Sequence, residues 1–176
     1  MSSQPSEERS RPLWYALYTR SHCERLVCDQ LAAKGFHMFL PKIDAWSRRA
    51  GKRHLIVVPM FPGYLFLHHD LDKSSYIEVS KARGLVRILG EGWDKPSNIP
   101  EAEIEAIQTV LTASVPIMPH PYLREGQRVR ITQGSLRGVE GILIQSKPTK
   151  GQLILSIEML QRSIVVEIDC RSVTAA

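Results

Sequence analysis

The hydrophobic pattern changes character about two-thirds of the way along the chain. In the first part apolar runs alternate with amphipathic stretches. Trp14-Tyr15-Ala16-Leu17-Tyr18-Thr19 reads as a buried strand. Ser21-His22-Cys23-Glu24 fits a capping box, and Cys23, Leu26, Val27 and Leu31 then recur at helical spacing. Gly35 supplies the stop. Phe36 to Ile43 predicts a second strand, and Arg48–Arg53, centred on Gly51, a hairpin tip or loop. Leu55–Val58 and Tyr64–Leu67 are strands on either side of a Pro-Gly turn. A short helix follows at about Lys73–Ala82, then a strand at Val86–Leu89. Pro100 suits a helix N1 position, with Glu101 and Glu103 in the first turn and Ile104, Ile107 and Leu111 along one face.

Residues 114–122 hold Pro116, Pro119 and Pro121, which a helix or central strand would not accept, so a linker is expected there. Beyond it a period of two takes over. Val129 and Ile131 alternate with Arg128, Arg130 and Thr132. Leu153, Leu155 and Ile157, then Ile164, Val166 and Ile168, repeat the pattern. The fold class expected is α+β: a tail over 1–12, a ferredoxin-like α/β sandwich over 13–113, a flexible linker over 114–122, and a small SH3-like β-barrel over 123–176.

Composition adds bounds. At 43% hydrophobic and 23% charged the chain has the make-up of a globular protein. No apolar run approaches the roughly 18–20 residues of a membrane span, and the mixed-charge N-terminus is no secretory signal, so the cytoplasm is the expected compartment. Three cysteines, Cys23, Cys28 and Cys170, are too few and too odd for a disulfide framework. On a helix, Cys23 and Cys28 would point apart by about 140°, and no CxxC or HxxxH completes a metal site. No P-loop, GxGxxG or catalytic triad stands out, and His68 and His69, as strand neighbours, face opposite ways. Neither an enzyme nor a cofactor is implied.

The net charge of +5 is compatible with a nucleic-acid partner, and its distribution says more. No acid occurs from Ala45 to His69, while Arg48, Arg49, Lys52 and Arg53 cluster around Gly51. Such a run is either a solvated hairpin tip or a set of phosphate contacts.

Two motifs carry a resemblance. GQRVRITQGSLRGVEGILIQ, Gly126 to Gln145, followed by LSIEMLQRSIVVEI, resembles a KOW motif. WYALYTRSHCE and FPGYLF resemble the NusG N-terminal domain. Together, in this order, they identify the chain as similar to the NusG family of transcription elongation factors over about Leu13 to Val173. Within it, RAGKRHLIVVPMFPGYLF and KARGLVRIL resemble specialised paralogs of the RfaH and UpxY kind.

The resemblance implies docking on the β′ clamp helices of bacterial RNA polymerase through Tyr18, Phe61, Pro62, Tyr64, Phe66 and Leu89. Strand alternation puts Tyr64 and Phe66 on one face and Leu65 and Leu67 on the other; core packing is the competing assignment for every ring, and Trp14 and Tyr15 are expected in the core. The resemblance further implies that Arg48, Arg49, Lys52 and Arg53 lie near upstream DNA and that Arg20 and Arg83 meet the non-template strand. Ser75 and Tyr76 depart from the His-Thr pair of RfaH, so a sequence preference does not carry over. In the KOW half, Met159, Leu160 and Arg162 match the loop that meets ribosomal protein S10; Gln161 stands where a Gly is usual, which leaves contact with Rho open. Val58 replaces the acid that locks the RfaH fold switch, so a permanent barrel is expected.

A monomeric antitermination factor is thus the expected function. The alternatives are a housekeeping NusG with Rho-linked roles and a KOW-type RNA- or ribosome-binding module.

Overall fold

A computed structural model of the chain describes residues 11–120, 126–145, 150–157 and 160–176. The first sheet is built around β1 (Leu13–Thr19), with β2 (His37–Phe39), β5 (Tyr64–His69), β6 (Leu85–Ile88) and β9 (Asn98–Ile99). The order is β2-β5-β1-β6, all antiparallel, and β9 pairs with the opposite end of β1 through Trp14 and Ile99.

The continuous apolar run of β1 has a simple cause: both faces of the sheet are covered. On one face Tyr15, Leu17, Leu65 and Leu67 pack with Val27 and Leu31 of α1 (Glu24–Ala33) and Val79 of α2 (Lys73–Ser80). On the other, Trp14, Ala16 and Phe66 join Ile104, Ile107 and Val110 of α3 (Glu101–Thr112). The Trp14 indole also donates to the Glu101 carboxylate at 3.2 Å. Trp14 and Tyr15 are core, as expected, and burial together with the Asp70 charge raises the Tyr15 pKa.

Between β2 and β5 a separate two-stranded hairpin forms from β3 (Lys42–Arg49) and β4 (Lys52–Pro59). Its two-residue turn, Ala50-Gly51, has φ of 51° and 76°. Positive φ at both positions is the type I′ pattern that matches strand twist.

Several local expectations are corrected. The run Phe36–Ile43 is interrupted at Leu40-Pro41, and its two pieces enter different sheets. The N-cap of α1 is Cys23 with no side-chain cap, so Ser21 and Glu24 form no capping box; Glu24 is drawn to a backbone amide elsewhere. The buried face of α1 is Glu24, Val27 and Leu31, and Leu26 is exposed. A capping box occurs instead at α2, between Asp72 and Ser75. Pro100 is the N-cap rather than N1 of α3, and Val110 rather than Leu111 completes its buried face. The short pair β7 (Gly90–Gly92) and β8 (Lys95–Pro96) had no periodicity to announce it.

The second sheet comprises β10 (Ile117–His120), β11 (Gln127–Ile131), β12 (Glu140–Gln145), β13 (Lys150–Ile157), β14 (Arg162–Asp169) and β15 (Val173–Ala175). Its order is β10-β14-β13-β12-β11-β15, antiparallel throughout. Val129, Ile131, Leu153, Leu155, Ile157, Ile164 and Val166 are buried on one side, in the phase that period two predicted. Ile142, Ile154 and Val165 make a small cluster of their own. The expected linker is corrected at Ile117–His120, which pairs with β14 as an edge strand. Pro119 sits opposite Ile164 there, and an edge accommodates a residue with no amide hydrogen.

Candidate functional site

The segment Phe61-Pro62-Gly63-Tyr64 is a β-turn closed by the Tyr64 N–H donating to the Phe61 carbonyl at 3.0 Å. Pro62 occupies the second position and Gly63, at φ 85°, the third, as a type II turn requires. The turn is held from outside as well. The Gly63 N–H donates to the Glu24 carboxylate at 2.7 Å, and the Gly63 carbonyl accepts the Thr19 N–H at 2.8 Å. Glu24 and Thr19 are both buried. The first residue of α1 and the last of β1 thus fix the turn between β4 and β5.

This geometry places two tyrosines side by side. Tyr18 and Tyr64 are register partners on β1 and β5, with ring centroids 5.2 Å apart. Tyr18 is 37% exposed, Tyr64 is half-buried and Pro62 is exposed. A Cβ on Gly63 would lie 3.2 Å from the Tyr18 ring, so the turn backs directly onto it. On the far side of β1, Tyr18 is paired with exposed Arg87 of β6. Tyr64, Tyr18 and Arg87 form one row across three strands.

Phe61, Phe66 and Leu89, expected at the same surface, lie in the core instead. Phe66 is 0% exposed and Phe61 meets it edge-on at 6.1 Å. Leu89 is buried beside them, its N–H bonded to the Ala16 carbonyl at 2.9 Å. The reason is the apolar cover that α3 shares with that face; Tyr18, near the end of β1, is partly exposed, and Tyr64 is half-buried beside it.

Arg20 and Arg83 are both exposed and are brought together: the Arg20 N–H donates to the Gly84 carbonyl at 2.9 Å. The Gln30 amide grips the Arg83 backbone at both its N–H and its carbonyl. Ser75 is engaged in the α2 capping box, and Tyr76 packs against the core under α1. Arg48, Arg49, Lys52 and Arg53 surround the hairpin turn, all exposed, and none forms an ion pair among the described residues. In the second half, Leu160 is buried, Arg162 is exposed and Met159 lies outside the described residues. Gln161 takes φ 51° there, a left-handed conformation more usual for glycine.

Two further residues belong to these surfaces, Arg87 and Trp46. Arg87 hid inside an apolar strand, and only the register of β6 reveals its row with Tyr18. Trp46, 68% exposed on β3, was legible as part of the period-two series Asp44, Trp46, Arg48 beside the basic tip.

Comparison with known proteins gives these surfaces a context. A family model described as NusG, transcription termination factor, matches residues 12–108. The transcription termination/antitermination protein NusG of Buchnera aphidicola is 24% identical over 177 residues, covering 94% of this chain and 97% of that protein. NusG of Thermus thermophilus is 25% identical over 181 residues, covering 93% and 98%. A solved structure of Thermotoga maritima NusG superposes with a TM-score of 0.58 at 18% identity, covering 94% of this chain and 97% of that one, and supports the fold. With its family model matched over more than half of its length, the chain belongs to the NusG family of transcription factors.

Proposed function

We propose that this protein is a polymerase-bound elongation factor that suppresses pausing and termination on particular operons. The observation that carries the reading is the locked Pro62-Gly63 turn presenting Tyr18 and Tyr64 as a partly exposed aromatic pair near the end of the sheet. Aromatic side chains bury large areas at small entropic cost, and a phenol adds a hydrogen bond at the rim. A coiled-coil tip such as the β′ clamp helices of RNA polymerase is the partner that such a patch fits.

Arg20, Arg83 and Arg87 border the patch and are suited to the non-template strand; the hairpin tip, with Arg48, Arg49, Lys52 and Arg53, extends toward upstream DNA. Closing the clamp and steadying the DNA favour the processive state by differential binding. The second sheet, which starts at β10, is read as a KOW barrel, and the turn at residues 160–162 is offered to ribosomal protein S10. Tethering raises the effective concentration of that second partner. The specialised-paralog reading belongs to this proposal, and so does the placing of the protein in the cytoplasm; no helix among the described residues is long and apolar enough to cross a membrane.

A housekeeping role with Rho is the second reading, favoured by the near full-length match to termination/antitermination proteins. Single-round transcription on a template with an intrinsic and a Rho-dependent terminator separates the two. Increased readthrough at both supports the first reading; increased Rho-dependent release supports the second; no effect on either contradicts both.

A further inference from the structure

The β3–β4 hairpin has two faces of different fate. Ile43 is buried and its cross-strand partner Val58 half-buried, so the face that they share packs against the core at the hairpin base. The opposite face carries Asp44, Trp46 and Arg48 from β3, set against Val57, Leu55 and Arg53 from β4. Trp46, Leu55 and Val57 are 68%, 56% and 65% exposed, an unusual apolar strip for a two-stranded ribbon. At these exposures none of the three belongs to the core among the described residues.

We infer that this face binds single-stranded DNA, with Trp46 as a stacking platform for one base and Arg48 and Arg53 as its flanking phosphate contacts. The indole and the two guanidiniums share one side of the ribbon, with the ring on the hairpin shaft and the charges toward the tip. An exposed ring next to cations that form no ion pair among the described residues fits a ligand with both a π-face and a phosphate. A duplex keeps its base faces stacked and could use only the charges, so a single strand is the better match. Leu55 and Val57 offer apolar contact to a thymine methyl and to deoxyribose. Contact with the thymine methyl, which uracil lacks, favours oligothymidylate over oligouridylate on this face. Asp44 lies on the same face, but two residues below the ring and away from the tip, where its charge faces the end of the strand opposite the phosphates. The inference rests on the reading of the hairpin as facing nucleic acid, and its test needs no polymerase, so failure here and failure of polymerase docking are separable.

The experiment is fluorescence titration of the full chain with a 15-residue oligothymidylate, the equivalent oligouridylate and a 15-base-pair duplex, at several salt concentrations. Trp14 is buried and Trp93 lies under Lys73, so a Trp93→Phe variant isolates the Trp46 signal. The expected result is quenching by oligothymidylate that persists in Trp93→Phe and vanishes in Trp46→Phe. Trp46→Ala should weaken binding about five-fold or more. Arg48→Gln/Arg53→Gln should reduce the salt slope by roughly 1.4, two phosphate contacts on a single strand. Because all three positions are exposed, unchanged circular dichroism is expected of each variant. Equal affinity for duplex, tighter binding of oligouridylate, or unaltered affinity in Trp46→Ala would each overturn the inference.

Discussion

The carboxylate of Glu24, the first residue of α1, accepts the N–H of Gly63 at 2.7 Å, thirty-nine residues away in sequence. The bond ties a helix start to the turn beneath the Tyr18–Tyr64 pair and works alongside the Thr19 N–H to Gly63 carbonyl bond to hold it. Glu24→Ala leaves a partly buried amide without its acceptor and should cost about 1–3 kcal/mol. Glu24→Gln keeps a carbonyl acceptor and should cost less. Urea denaturation of the two variants checks the order.

Gly63→Ala tests the turn from the other side. The substitution puts a side chain at φ 85° and a methyl 3.2 Å from the Tyr18 ring. A loss of roughly 1–2 kcal/mol is expected from the backbone alone, together with a changed Tyr18 environment in NMR spectra.

Phe66 and Tyr64 are two residues apart on one strand face, yet they should behave differently. Phe66→Ala empties a fully buried site and should cost about 3–5 kcal/mol. Tyr18→Ala and Tyr64→Ala remove partly exposed rings and should be tolerated far better. Thermal unfolding of the three variants separates core from surface.

Ala50 holds φ 51° in the hairpin turn, where a Cβ is unfavourable. Ala50→Asn creates the Asn-Gly pair preferred in type I′ turns and should stabilise the hairpin by up to about 1 kcal/mol. Slower amide hydrogen exchange along β3 and β4 is the readout.

Asp169 has its pKa lowered to about 2 by hydrogen bonds from the Arg171 side chain and backbone N–H. A depressed carboxylate pKa contributes stability that is present above the ordinary value of 3.8 and lost as pH falls toward 2. Arg171→Ala should return the Asp169 pKa toward 3.8 and remove that part of the acid dependence; a carboxyl titration by NMR follows it directly.

Much of the fold was legible because its causes are local. The apolar run of β1, the basic tip around Gly51 and the period two of β13 and β14 each announce their element through side-chain pattern alone. What was not legible depends on pairing across the chain. Ser21-x-x-Glu24 has the spacing of a capping box, but the Gly63 amide, distant in sequence, claims the carboxylate. Tyr64 and Phe66 look equivalent by alternation; the position of α3 decides that one is core. Pro119 signals a break, and only the edge position of β10 makes it compatible with a strand.

The most direct test of the account is capture of bacterial core RNA polymerase by the full chain and by a Tyr18→Ala/Tyr64→Ala variant whose fold has been confirmed by circular dichroism. The account predicts capture by the parent protein and at least about a ten-fold loss in the variant, the weight of two aromatic anchors. Equal capture by both, or none by the parent, would contradict it.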